Sequence, residues 1–249
     1  MAKVIAHRGA SKVCPQNTIP AFKKAVEMGA DGFENDVHLT KDGRIVVCHN
    51  YNIDDTSNGS GYINDLTFDE LRSYDFGSYF SADFAGTQIP TLEEFLDVAR
   101  DGDIEVINIE IKGPRDGNLE IVKKTIDMVK DFGLFDRLLI SSFDDKSLLA
   151  CKQIDPRTQT GLLYSPDSPI IERIFDDQLG FAESLGCDAV HPLFFYVDED
   201  YVADSHKRGM KVNPWTTDTE MIINGMLDCG CDGLITDYPD LARKIIAER

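Results

Sequence analysis

Three acids and two bases are spaced so that strands would aim them at one place. Glu34 and Asp36 stand two apart in GFENDV, and Glu110 and Lys112 stand two apart in EVINIEIK. Residues i and i+2 of a strand share a face, so each pair projects to one side. Arg8 follows the first apolar run, VIAH. Charge buried in a sheet is costly unless it is paired or metal-bound. Pairing with Lys112 and Arg8 alone is one reading of these acids, and it leaves one acid uncompensated. A set of three carboxylates suits a hard divalent cation, and that reading is favoured.

His7 and His49 are the candidates for proton transfer. Each ends an apolar run and each has polar neighbours. The ordinary pKa of histidine fits acid and base work near neutral pH. On spacing alone, a catalytic pair and two hydrogen-bonded structural histidines are equally open. His38 falls in a hairpin, His191 ends the run in AVHPLFF near a strand end, and His206 sits on a helix, so these are weaker candidates.

Such groups need a scaffold that brings strand ends together. Short β-branched runs fall at 4–7, 32–37, 45–49, 105–112, 138–142, 160–164, 189–192, 211–215 and 233–236. Amphipathic stretches of helical length fall between them, at 21–28, 92–100, 119–132, 146–153, 170–185, 199–208, 220–228 and 241–247. Alternating β and α units predict a parallel sheet. Asp42-Gly43 is a hairpin signal, so 45–49 is expected to turn back against the second strand and leave the wall. Eight βα units remain, the count of a TIM (β/α)8 barrel. Its active site lies at the C-terminal ends of the strands, where His7, Arg8, Glu34, Asp36, Glu110, Lys112, Trp215 and Asp237 all fall. Residues 51–88 break the rhythm. They are polar and Gly-rich yet hold Phe76, Tyr79, Phe80 and Phe84. That is too long for a simple loop. It predicts a small ordered insertion beside the mouth, with one helix at 68–74. The whole of 1–249 then reads as one barrel domain containing it.

Composition narrows the function. The net charge of −19 argues against nucleic acid or an anionic membrane as the main partner. A small anionic substrate stays possible if cations gather locally. The six cysteines are scattered and read as reduced core residues. No run reaches the length of about 20 apolar residues that a transmembrane helix needs. The N-terminal apolar stretch is too short for a signal peptide, so a cytoplasmic enzyme is expected.

The ordered blocks AHRGA, PQNTIPAF and GADGFENDVHLTKDGRIVVCHN resemble the signature of the glycerophosphodiester phosphodiesterase family. That signature runs His-Arg-Gly, Pro-Glu-Asn-Thr, Glu-x-Asp-Val, Thr-x-Asp-Gly and His-Asp. IPTLEEFL, INIEIK, VNPWTTD and DGLITDYPD resemble its later blocks. The resemblance implies a TIM barrel with one insertion after the first hairpin. It implies His7 and His49 as the acid/base pair and Glu34, Asp36 and Glu110 as ligands of Mg²⁺ or Ca²⁺. Arg8 and Lys112 would meet the phosphate, and Trp215 the glycerol end. The substrate would be a small phosphodiester, giving sn-glycerol 3-phosphate and an alcohol. Two positions depart from the signature: Gln16 and Asn50 replace a glutamate and an aspartate. Three other readings follow: a weakly catalytic relative that binds headgroups, a lysophospholipid- or phosphoinositide-cleaving enzyme on a related barrel, and a barrel enzyme acting on sugars or carboxylates.

Overall fold

Each apolar run forms a strand of one sheet in the computed structural model, which describes residues 1–115, 117–168 and 170–249. The strands are β1 (Lys3–His7), β2 (Gly32–Leu39), β3 (Ile45–Val47), β4 (Val106–Ile111), β5 (Leu138–Ser142), β6 (Gln159–Tyr164), β7 (Ala189–Pro192), β8 (Lys211–Val212) and β9 (Gly233–Thr236). The parallel order is β8-β7-β6-β5-β4-β2-β1-β9. Backbone amides of Asp232 and Ile235 donate to the carbonyls of Val212 and Pro214, at 2.9 and 3.1 Å, and draw β9 against β8. The result is a nearly closed TIM barrel. As expected, β3 lies off the wall, antiparallel to β2 with Val37 opposite Val47.

The helices are α1 (Ile19–Glu27), α2 (Phe68–Arg72), α3 (Leu92–Asp101), α4 (Glu120–Asp131), α5 (Asp145–Ile154), α6 (Ile171–Ile174), α7 (Gln178–Ser184), α8 (Glu199–Lys207), α9 (Glu220–Asp228) and α10 (Pro239–Ala247). The outward residues Phe33, Val37, Ile107, Ile109 and Ile111 pack on Phe22 of α1 and Phe95 of α3. Across the barrel, Leu162, Val190, Val212 and Leu234 do the same against α7 to α10. The alternate residues therefore face the barrel axis, and in β2 and β4 those are Glu34, Asp36, Asn108 and Glu110. Register fixes the level of each: Glu34 pairs Asn108 and Asp36 pairs Glu110.

Two elements depart from the sequence expectation. The helix expected over 170–185 is two short helices. Asp177 accepts from Gly180 N with its side chain and starts α7 anew, a local capping bond that competes with helix continuation. The strand expected over 211–215 pairs regularly only at Lys211–Val212. Pro214 has no amide hydrogen to continue the ladder. The chain still follows the strand path, because Asn213 N and Trp215 N donate to Val190 and Pro192 carbonyls.

Segment 51–88 holds a small core of its own. Ile53, Ile63, Leu71 and Phe76 close on Val46, Cys48 and Ile89. Thr67 and Glu70 form a capping box that starts α2. The Tyr51 hydroxyl donates to the Gly113 carbonyl at 2.8 Å and ties the segment to the end of β4.

The loop from β1 to α1 is closed on itself. Arg8 N donates to the Glu34 carbonyl, Asn17 N to the Arg8 carbonyl and Ala10 N to the Ala21 carbonyl. Arg8 and Asn17 both take φ of 57°, a conformation that non-glycine residues adopt at some cost. Gly9 has φ 81°, and a Cβ there would stand 2.7 Å from the backbone of Ala21. Gly9→Ala is expected to lower stability by about 1–3 kcal/mol through overpacking and strain. It is also expected to raise KM, since the same turn aims Arg8. Thermal unfolding and steady-state kinetics on one preparation check both.

Candidate active site

Glu34, Asp36 and Glu110 meet at the mouth end of the barrel. One oxygen from each lies within 4.8 Å of the others, and all three residues are buried. Lys112 sits against two of them, with Nζ 2.8 Å from Asp36 Oδ1 and in closer contact with Glu110 Oε1. Arg8 Nε lies 3.5 Å from Asp36 Oδ2, while its backbone N–H donates to Glu34 Oε2 at 3.1 Å. Asn17 Nδ2 donates to Asp36 Oδ2 at 2.7 Å. The cluster thus draws on β2, β4 and the β1–α1 loop.

The carboxylates differ electrostatically. Burial alone would raise Asp36, but Lys112, Arg8 and His49 outweigh it and hold the group well below the usual range. Burial, then the charges of Asp36 and Glu110, push Glu34 well above it. Burial lifts Glu110 to about 7, against the pull of Lys112. Two acids held up by burial, with the neighbouring carboxylates adding to it and the cations not offsetting it, are what a shared cation would relieve. Unsatisfied atoms point the same way. Among the described residues Asp36 Oδ1, though close to Lys112, lacks a well-directed hydrogen bond, and Asn17 Oδ1 lacks a partner. The donor set is all oxygen and fits a hard divalent ion.

Both sequence-selected histidines are at this mouth. His7 Nε2 lies 3.9 Å from Glu34 Oε2, and Nδ1 is 2.6 Å from Asp237 Oδ1. Burial lowers the His7 pKa, Arg8 adds to this and Asp237 opposes it. His49 Nδ1 lies 2.7 Å from Asn50 Oδ1. Burial is the main cause that brings His49 to about 4; Asp36 opposes it, and Lys112 and Arg8 add to it. Trp215 stands on the β8 side of the mouth. Its Nε1–H donates to the His191 carbonyl at 2.8 Å, and its ring meets Phe143 edge-on at 5.8 Å. Neither this hydrogen bond nor this ring pair involves the carboxylates.

A model of the Glycerophosphoryl diester phosphodiesterase family matches residues 7–241. The chain belongs to that family. A member of the glycerophosphoryl diester phosphodiesterase family is a phosphoric diester hydrolase, and the relatives agree. A glycerophosphodiester phosphodiesterase of Caldanaerobacter subterraneus is 41% identical over 249 residues, covering 98% of this chain and 97% of the relative. One from Bacillus altitudinis is 33% identical and covers 100% and 99%. An Oleispira antarctica phosphodiesterase, solved in complex with the product sn-glycerol-3-phosphate, superposes with TM-score 0.88 at 30% identity, over 99% of this chain and 97% of that one.

Around the family site the structure adds Ser11 and gives contacts to residues that the sequence named without a role there. Asp237 was visible only as a polar strand end, and it is 230 residues from His7. Ser11 donates to the same Asp237 oxygen at 2.9 Å. Gln16 accepts from Arg8 at 2.6 Å, so the first of the two amide replacements meets the guanidinium. Tyr79 and Phe80 come from the insertion and line a cavity of about 170 Å³ with His7, Arg8, Gln16 and Asp237. Phe76 is core, whereas Phe195 is exposed. His191 is fully buried, and its Nε2 faces the side-chain amide of Asn213 at 3.1 Å. His38 is buried on β2, 3.3 Å from the His49 carbonyl, and His206 pairs with Asp232 at the surface.

Proposed function

We propose that this chain hydrolyses glycerophosphodiesters to sn-glycerol 3-phosphate and an alcohol. The convergence of three buried carboxylates with Lys112, Arg8 and two histidines whose pKa values burial lowers carries the reading. The product seen in the Oleispira antarctica relative supports the substrate class. Glu34, Asp36 and Glu110 would hold Mg²⁺ or Ca²⁺. When bound, that ion supplies positive charge to the phosphoryl oxygens.

The chain's own groups do the rest. Arg8 and Lys112 meet the phosphate as fixed cations, already desolvated and in place. Asp237 holds the His7 ring and stabilises a proton on it. Asn50 holds the His49 ring without adding charge. One histidine takes a proton from the nucleophile and the other gives one to the departing alkoxide. Trp215 and Phe143 offer an apolar wall to the glycerol end. Barrel and insertion act as one domain, because the insertion lends Tyr79 and Phe80 to the mouth. No helix among the described residues is long and apolar enough to cross a membrane. Unpaired, mostly buried cysteines favour a reducing compartment such as the cytoplasm.

Glycerophosphocholine is the first substrate to assay, with glycerol 3-phosphate as the readout. EDTA is expected to abolish release, and Mg²⁺ or Ca²⁺ to restore it. Release unaffected by EDTA would refute the metal role. No release under either ion would refute the substrate class.

A further inference from the structure

One amide joins His49 to a carboxylate that the sequence signature does not contain. His49 Nδ1 lies 2.7 Å from Asn50 Oδ1, and Asn50 Nδ2 donates to Asp55 Oδ2 at 3.1 Å. A neutral imidazole nitrogen can donate or accept, and the two ends of a primary amide are nearly equal in shape. The His49–Asn50 contact alone therefore leaves the direction of the hydrogen bond open. An ionised carboxylate can only accept. Asp55 thus selects the NH₂ end of Asn50, turns Oδ1 toward His49, and obliges Nδ1 to carry the ring hydrogen. The lone pair is left on Nε2.

We propose that Asp55 is a positioning residue that sets the tautomer of His49 through Asn50. The kinetic part rests on the proton-transfer role proposed above, while the tautomer itself does not. His7 reaches the same state in one step, because Asp237 faces its Nδ1 directly at 2.6 Å. For His49 the replacement of an aspartate by Asn50 moves the acceptor-only group one residue outward. Direction is preserved, and negative charge is kept farther from the ring. Asp55 is exposed and outside the apolar core of segment 51–88, so its replacement leaves the fold intact.

The test is Asp55→Asn in two backgrounds. An asparagine at 55 can present either end, so Asn50 loses its preferred orientation. A hydrogen bond of ordinary net strength then corresponds to a kcat loss of about threefold to tenfold, with KM within about twofold. Asp55→Glu, which still only accepts, is expected to keep most of the rate. In Asn50→Asp, residue 50 accepts from His49 in any rotation, so adding Asp55→Asn is expected to cost nothing further. ¹⁵N NMR of the ring, recorded without substrate, is expected to show His49 as the Nδ1–H form in the parent and as a mixture in Asp55→Asn. An unchanged tautomer in Asp55→Asn overturns the relay whatever the rate does. An equal loss in both backgrounds overturns it too, since that is the mark of a general structural effect. Should the parent release no glycerol 3-phosphate, the proposed function fails while the NMR result still decides the relay.

Discussion

His7→Ala and His49→Ala are each expected to lower kcat on glycerophosphocholine by about 10²–10⁴-fold, the range for loss of a positioned acid or base. Neither change should unfold the protein. His7 leaves Asp237 still bonded to the Ser11 hydroxyl, and His49 leaves Asn50 still bonded to Asp55. The double variant is expected to fall little below the worse single one, because groups acting in one proton circuit are not additive. A second substrate separates the roles. A nitrophenyl leaving group departs as a stable anion and needs no proton, so the variant lacking the acid is expected to recover most of its loss on such a diester. The variant lacking the base should stay slow on both. Asp237 pulls the His7 pKa upward against its burial, whereas His49 has only the neutral Asn50 amide at Nδ1, so of the two rings His7 is assigned the proton donor. Rates within about threefold of the parent for both variants on both substrates would remove the histidines from the chemistry.

The parts of this site that were legible in the sequence are those set by strand geometry. Glu34 with Asp36, and Glu110 with Lys112, were readable because a period of two is a local property that survives any tertiary context. Their meeting followed once β2 and β4 were neighbours, in the register Asp36 to Glu110. What escaped depends on loops. Asp237 reaches His7 only because β9 lies beside β1, with Ala6 level with Thr236. Tyr79 reaches the mouth from a segment whose own core, built on Ile53, Leu71 and Phe76, no periodicity announces. Asp55 is only five residues from Asn50, but side-chain bonding inside a polar loop has no repeating pattern to read. The split between α6 and α7 has the same origin. One aspartate, Asp177, found a local amide and outweighed an apolar pattern that favoured a single helix.

Asp36→Asn and Glu34→Gln are expected to separate two functions of the same cluster. Asp36 touches Lys112 at 2.8 Å and Arg8 at 3.5 Å, and it accepts from Asn17. Glu34 has one backbone donor, Arg8 N, and His7 only at 3.9 Å. Breaking the buried pairs of Asp36 leaves two cations short of counter-charge, at a cost of about 3–5 kcal/mol. In EDTA that should lower Tm by roughly 10 °C, taking a few degrees per kcal/mol for a chain of this size. Glu34→Gln removes no ion pair with Lys112 or Arg8, so in EDTA its Tm is expected to stay within a few degrees of the parent. Excess Mg²⁺ or Ca²⁺ probes the second function, on which the two variants are expected to agree. An ion at 100 times its Kd stabilises the parent by about 2.7 kcal/mol, and losing any one of three ligands weakens that gain. Both variants are therefore expected to lose most of the ion-induced rise in Tm, and both to lose activity. A Tm for Asp36→Asn equal to the parent in EDTA would show that the pairs contribute nothing net. An intact ion response in both would place the cation elsewhere. Among the described residues three buried acids stand opposite two cationic side chains, and the acid left without a counter-charge is the one that an ion would satisfy.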